Sequence, residues 1–308
     1  MKIKELLPSL VRMWKLKRTP VASLHGGEDT LPVIVSLTSI RSRLPVIHWS
    51  IRSVLNQSHK PEKIQLWLHQ DLESSIPPSL RALVGPRLEI HYSRLDCPHL
   101  KLLETLTQSP DKIIVTCDDD LMYPESWLLN LYQTHLAYPQ DVIANIARLI
   151  KIDEQGQPLR YNSWPYIRCA LFSDPALMAA GYGGVLYPPK ALADQAHNES
   201  LFMQLAPRAD DLWFKAMSWL ANTKVRLSLT PHPDIRPVPG SQRISLKKAN
   251  VGEDKNRTQW AALAEYFNIN LHMEGGVDAQ QPPEDCAGNP LEQIFRQQGP
   301  HDSESRLT

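Results

Sequence analysis

Five aspartates in two short runs carry the densest chemistry of this sequence. Asp118, Asp119 and Asp120 stand consecutively after the apolar, β-branched run at 112–117, Lys-Ile-Ile-Val-Thr-Cys. Adjacent like charges repel, and burial raises the cost, so three neighbouring carboxylates need a cation or several donors to neutralise them. Mg²⁺ or Mn²⁺ suits such a cluster, being a hard cation held by one or two carboxylates and completed by phosphate oxygens. The simpler use of the acids is to cap the helix expected near Pro124 and Glu125, although one carboxylate would serve for that. Asp210 and Asp211 begin the second run, Asp-Asp-Leu-Trp, at the head of a helix expected over 209–220. Carboxylates there gain from the helix dipole. Two adjacent acids can also titrate apart, leaving one ionised to accept a proton.

These runs must be positioned by other elements, and from residue 31 the pattern is α/β. Short apolar runs at 33–38, 63–68, 88–92 and 112–117 read as buried strands. Between them, helical spacing appears at 45–56, 79–84 and 100–106. Strands alternating with helices at this interval imply a mostly parallel sheet with crossover helices. The triplet then sits at the carboxyl end of a strand, where open α/β sheets bind ligands. Beyond about residue 140 the alternation loosens. Gly181-Tyr182-Gly183-Gly184 reads as a glycine hinge entering a strand that stops at Pro188 and Pro189. A strand is expected at 225–229 and a last helix at 259–267.

Composition excludes several classes. The 308 residues hold 33 Lys and Arg against 33 Asp and Glu, a formal net charge of zero. A chain built to coat nucleic acid carries a basic excess, so no nucleic-acid partner is expected. No apolar run approaches the roughly 20 residues of a spanning helix. The cysteines, Cys97, Cys117, Cys169 and Cys286, are scattered, which reads as reduced thiols and a cytoplasmic location. Residues 1–30 form a basic amphipathic segment and linker. Leu7, Leu10, Val11 and Trp14 share one helical face among Lys2, Lys4, Arg12, Lys15, Lys17 and Arg18. Residues 1–20 would lie on an anionic membrane surface, at the inner face of the cell membrane, or dock on their own domain. They lack the apolar stretch and cleavage site of a signal peptide. Residues 31–272 form one domain, divided at about 125, and 273–308 are expected to be a disordered tail.

Taken in order, four segments resemble the GT-A fold glycosyltransferases, and within them the family-2-like bacterial enzymes of surface polysaccharide assembly. They are Val35-Ser36-Leu37-Thr38-Ser39-Ile40-Arg41, the strand ending in Asp118-Asp119-Asp120, the Gly-Gly-Val-Leu-Tyr-Pro-Pro segment, and Asp210-Asp211-Leu212-Trp213. Ser53 through Pro61 matches as well, and the resemblance spans about residues 31–268. It implies a GT-A, Rossmann-like domain with a mostly parallel central sheet flanked by helices and a smaller acceptor-side region. The half at 31–125 would take a nucleotide-diphosphate sugar, and the half at 126–272 a glycan or glycolipid hydroxyl. The resemblance further implies that Thr38 and Arg41 line the nucleotide pocket. Asp118 and Asp119 would face ribose or diphosphate, and Lys101 would reach the nucleotide or phosphates, unless it is a solvated lysine. Asp120 would hold the metal, with Asp118 as its alternative because the motif here is a triplet. His232 would add a third ligand, unless it is simply exposed between prolines. Asp211 would be the catalytic base, with Asp210 as the fallback. Trp213 would border the acceptor or serve the core, and Arg243, Lys247 and Lys248 would close over the diphosphate or stay solvated. That division suits single displacement with inversion, although a metal-dependent retaining enzyme would need much the same donor apparatus. No Gln-x-x-Arg-Trp of the processive synthases is present, which points to transfer of one sugar.

Two other readings compete. A phosphohydrolase with an Asp-x-Asp nucleophile places Thr or Val where this chain has Met122, and does so near the start of its domain. A catalytically silent sugar- or nucleotide-binding protein is possible on the same scaffold, because function belongs to the site and not the fold. The presence of both acid runs weighs against it.

Overall fold

The computed structural model describes residues 3–241 and 254–271. The expected tail at 273–308 and the basic residues Arg243, Lys247 and Lys248 lie outside them. The chain begins with α1 (Ile3–Arg18) and one turn of helix, α2 (Val21–His25), whose Leu24 is fully buried. Then β1 (Thr30–Thr38), α3 (Ile47–Leu55), β2 (Lys60–His69), α4 (Pro78–Arg81), β3 (Leu88–Ser93), α5 (Leu100–Gln108) and β4 (Ile113–Thr116) alternate as the run lengths required. A two-residue strand, β5 (Leu121–Met122), follows the acidic triplet and leads into α6 (Trp127–Ala137).

The second half is built from shorter pieces: β6 (Val142–Ala144), β7 (Ala147–Leu149), β8 (Tyr166–Ile167), β9 (Leu177–Ala179) and β10 (Val185–Tyr187). After them come α7 (Glu199–Leu205), α8 (Asp210–Leu220), β11 (Val225–Leu227), β12 (Arg236–Pro237) and α9 (Lys255–Tyr266). Strands of two or three residues are too short to display a period of two, so β6 to β9 leave no clear pattern in the sequence.

Seven strands form the central sheet in the order β11-β6-β10-β4-β1-β2-β3. All run parallel except β10, which is antiparallel to both β4 and β6. This is the expected α/β class, a mostly parallel sheet between helices. Strand alternation sorts the core into two layers. Ile114, Val142, Ala144, Val185 and Tyr187 pack on the face that carries α5 and α8. Val115, Ile143 and Leu186 pack on the other face, against α3 and α6. Each fully buried aliphatic side chain here contributes about 1.5–3 kcal/mol of transfer free energy. Outside the main sheet lie the antiparallel pair β5-β12 and the three-stranded β8-β7-β9.

Cys97 and Cys117 are free thiols. Cys169 is disulfide-bonded, which corrects the expectation of a reduced thiol at that position. Sequence spacing does not report which cysteines the fold brings within bonding distance.

Candidate active site

β4 ends at Thr116, and the chain leaves the carboxyl edge of the sheet through Cys117 into Asp118, Asp119 and Asp120. Its neighbour β1 ends at the same edge. The turn after β1 supplies Ser39, whose hydroxyl donates to Asp119 Oδ2, and Arg43, whose Nη1 lies 2.5 Å from Asp119 Oδ1. Arg43 Nη2 also reaches Asp120 Oδ2 at 3.2 Å. Asp119 is thus a buried anchor. Burial pushes its pKa up, against the pull of Arg43 and Ser39. Asp120 is also buried, and burial followed by the charge of Asp118 raises it to about 7. Asp118 is the most open of the three, with a third of its side chain exposed.

From the opposite side comes α5, whose first turn carries Lys101. The helix is fixed to the sheet through Thr105, whose hydroxyl is shared among Ser36 (2.7 Å), Trp67 Nε1 (2.8 Å) and Gln65 (2.9 Å). Lys101 Nζ lies 3.1 Å from Asp118 Oδ1 and 2.9 Å from Asp210 Oδ2. Burial opposes its charge, but Asp118, Asp210 and Asp211 together hold its pKa well above the ordinary lysine value. It is a fixed internal cation and not the solvated helix lysine.

Asp210 and Asp211 start α8, which packs its Leu212, Phe214, Ala216 and Met217 into the core. Asp210 stays ionised: burial works against it, but Lys101 and then His99 hold its pKa below the usual carboxylate value. Asp211 moves the other way, raised to about 7 by burial and by the neighbouring Asp210 charge. Its Oδ2 accepts the backbone N–H of Gly181 at 3.0 Å. A Cβ at Gly181 would fall 2.5 Å from Asp211 Oδ1 and 3.0 Å from Lys101 Nζ, so any side chain there would displace the Asp211 carboxylate. Gly184, three residues on, has φ +92°, and a Cβ there would meet the Trp127 indole at 2.4 Å.

Tyr123 ties the two halves together. Its hydroxyl accepts the Asp118 N–H at 2.9 Å and donates to the Tyr182 carbonyl at 3.3 Å. Beside the glycine turn, the Arg148 guanidinium lies 3.9 Å from the ring of Tyr166 and 4.7 Å from that of Tyr161. Burial pushes the Tyr161 phenol up to about 12, with Arg148 opposing and Asp211 adding.

Six of the expected site residues therefore converge: Lys101, Asp118, Asp119, Asp120, Asp210 and Asp211. The other three have local partners. Thr38 Oγ1 donates to the Trp67 carbonyl at 2.9 Å, within the sheet. Arg41 is exposed and bonds the Asp71 carbonyl and Ser75 Oγ, while Arg43, two residues on, meets the triplet. His232 Nε2 pairs with the Ile167 carbonyl at 2.8 Å. Trp213 is fully buried and donates to the Ala196 carbonyl, so it serves the core. Arg43, Tyr123 and Arg148 were not singled out from the sequence. For Arg43 the signal was present, since the turn offers two arginines two positions apart.

The donor chemistry can be tested against a divalent cation. Among the described residues, no three His, Cys, Asp or Glu side chains group into a preformed metal cage. A divalent cation here would rest on two carboxylates, Asp118 and Asp120, with the remaining positions supplied by substrate oxygens and water. Among the described residues, Arg43 pairs with Asp119 and Asp120, and Lys101 with Asp118 and Asp210.

No protein-family profile matches the sequence, and no curated protein matches it. Similar solved structures include 4-diphosphocytidyl-2C-methyl-D-erythritol synthase from Anaerococcus prevotii DSM 20548. It is 13% identical, with a TM-score of 0.41 over 67% of this chain and 89% of that one. Residues 1–349 of S. aureus TarS, in complex with UDP, are also 13% identical, with a TM-score of 0.40 over 66% of this chain and 58% of that one.

Proposed function

We propose that the protein is a glycosyltransferase that moves one sugar from a nucleotide-diphosphate sugar to a hydroxyl of a glycan or glycolipid, with inversion. One observation carries this reading: Lys101 binds both Asp118, at the end of β4, and Asp210, at the start of α8. The bridge sets a partly open carboxylate beside a second acid pair whose members titrate apart. Transfer to a hydroxyl needs that combination, with charge control where a diphosphate leaves and a base where the acceptor attacks.

In this reading Asp211 takes the acceptor proton onto a carboxylate oxygen. A pKa of about 7 leaves it able to accept a proton at neutral pH and to release it afterwards. Asp210 and Lys101 hold the neighbouring charge constant, and the Gly181 amide fixes the direction of the Asp211 carboxylate. Asp118 and Asp120 would hold a divalent cation, Mn²⁺ or Mg²⁺, which when bound supplies Lewis-acid neutralisation of the leaving diphosphate. Arg43 and Asp119 keep the triplet in place. Tyr161, Tyr166 and Arg148 lie on the Asp211 side, where an acceptor sugar would be positioned.

The test is transfer assayed with a panel of sugar nucleotides on wild type, Asp120→Ala and Asp211→Asn. Loss of transfer by about 10²-fold or more in Asp211→Asn, with an unchanged fold, is expected. Wild-type turnover by Asp211→Asn would remove the base from that residue. Donor binding with neither transfer nor hydrolysis in wild type would mark a silent scaffold.

A further inference from the structure

Helix α1 has two opposite faces. Ser9 and Leu16 are buried, and between them Met13 packs with Leu16 against Met122 and Val238. Arg12 joins this face, bonding the Met122 carbonyl at 3.1 Å and Asp234 Oδ2 at 2.9 Å. From the body of the protein, Arg52 Nε reaches back to the Leu16 carbonyl at 3.0 Å. The helix is thus fastened over the β5-β12 pair, next to the triplet, since the Val238 N–H donates to the Asp120 carbonyl at 2.8 Å.

Among the described residues, the opposite stripe has no partner packed over it. Leu7 is 70% exposed, Leu10 45%, Val11 47% and Trp14 57%. On a helix, positions 7, 10, 11 and 14 form one stripe, so a docked helix presents four large apolar side chains to solvent together. Lys15, Lys17 and Arg18 are exposed around the stripe, and the Arg18 guanidinium lies 4.4 Å from the Trp14 ring. Glu5 is the only acid in the helix. An apolar stripe with Trp and a cationic border matches an anionic lipid surface, where side chains enter the acyl boundary and ammonium groups meet headgroups. A second copy of the helix fits less well, because a two-fold contact would press the same cationic border against itself. Among the described residues no helix is long and apolar enough to cross a membrane.

We infer that α1 is a membrane-surface anchor that seats its Leu7, Leu10, Val11 and Trp14 stripe on an anionic bilayer while its other face stays locked to the protein. The inference goes beyond the proposed reaction and does not depend on it, because binding is read without any substrate.

The experiment is sedimentation of the full chain with vesicles of phosphatidylcholine alone and of phosphatidylcholine with phosphatidylglycerol. Wild type is expected to partition onto the anionic vesicles, and salt is expected to weaken that binding. Leu10→Ser with Trp14→Ser should abolish it. Lys15→Glu and Lys17→Glu should each reduce it by about fivefold or more. Both positions face solvent, so thermal melts of the variants should match wild type. Absence of binding to anionic vesicles at low salt would overturn the inference. So would a wild-type dimer in sedimentation equilibrium that Leu10→Ser with Trp14→Ser converts to a monomer, since the stripe would then be an interface between copies.

Discussion

Lys101 Nζ lies 2.9 Å from Asp210 Oδ2, an ion pair between the first turn of α5 and the first turn of α8. The pair is almost wholly buried, so it is held by mutual charge and not by water. Breaking one partner of such a pair leaves an uncompensated charge in a low-dielectric setting. Lys101→Met should therefore cost about 3–5 kcal/mol of stability. Thermal or denaturant unfolding at neutral pH checks this. A loss below about 1 kcal/mol, the range of an exposed surface pair, would place Lys101 outside the buried network.

Asp211 gives the site its pH response. With its carboxyl raised to about 7, kcat/KM for transfer should climb as pH rises through about 7 and level off above it. The same shift acts on stability with the opposite sign. A carboxyl whose folded pKa is raised favours folding at low pH, and that contribution is lost as pH rises from about 4 through about 7. Asp211→Asn should thus be more stable than wild type at pH 8 by about 1–3 kcal/mol, while the two converge near pH 4. Melting curves at the two pH values decide it, and a variant less stable at pH 8 would contradict the raised carboxyl.

Gly181 is the contact that aims the Asp211 carboxylate. Its amide binds one Asp211 oxygen, and a methyl group there would overlap the other. Gly181→Ala should lower kcat by about a hundredfold through misplacement of the carboxylate. KM for the donor should change less than kcat, because the added methyl group meets the triplet only through Lys101. Steady-state kinetics with donor varied separates the two, and an unchanged kcat would show that Asp211 need not be held in this orientation.

The sequence was legible where its elements were long and repetitive. The strands β1 to β4 and the helices α3, α5 and α8 each carry enough residues for alternation or helical spacing to appear. Asp118–Asp120 and Asp210–Asp211 were legible because runs of like charge are costly without a purpose. The link between them was not legible. Lys101 reads as an ordinary helix lysine until α5 is docked through Thr105, and only then does it point between two acids. Arg41 and Arg43 sit in one short turn, and the backbone path, not residue type, decides which of them meets Asp119. His232 stands between prolines and gives no hint that its ring will meet the Ile167 carbonyl. The two faces of α1 were legible as an amphipathic pattern, whereas the fact that the less apolar face is the one docked on the described residues required the packing.

In the proposed reading, Asp118–Asp120 form the metal-dependent seat of a nucleotide-sugar donor. Titration calorimetry with a panel of nucleoside diphosphates, with and without Mn²⁺, on wild type and Asp120→Ala tests it most directly. Binding of one nucleotide by wild type only when Mn²⁺ is present, and its loss in Asp120→Ala, is the predicted result. Metal-independent binding that survives Asp120→Ala, or no binding of any nucleotide under either condition, would contradict it.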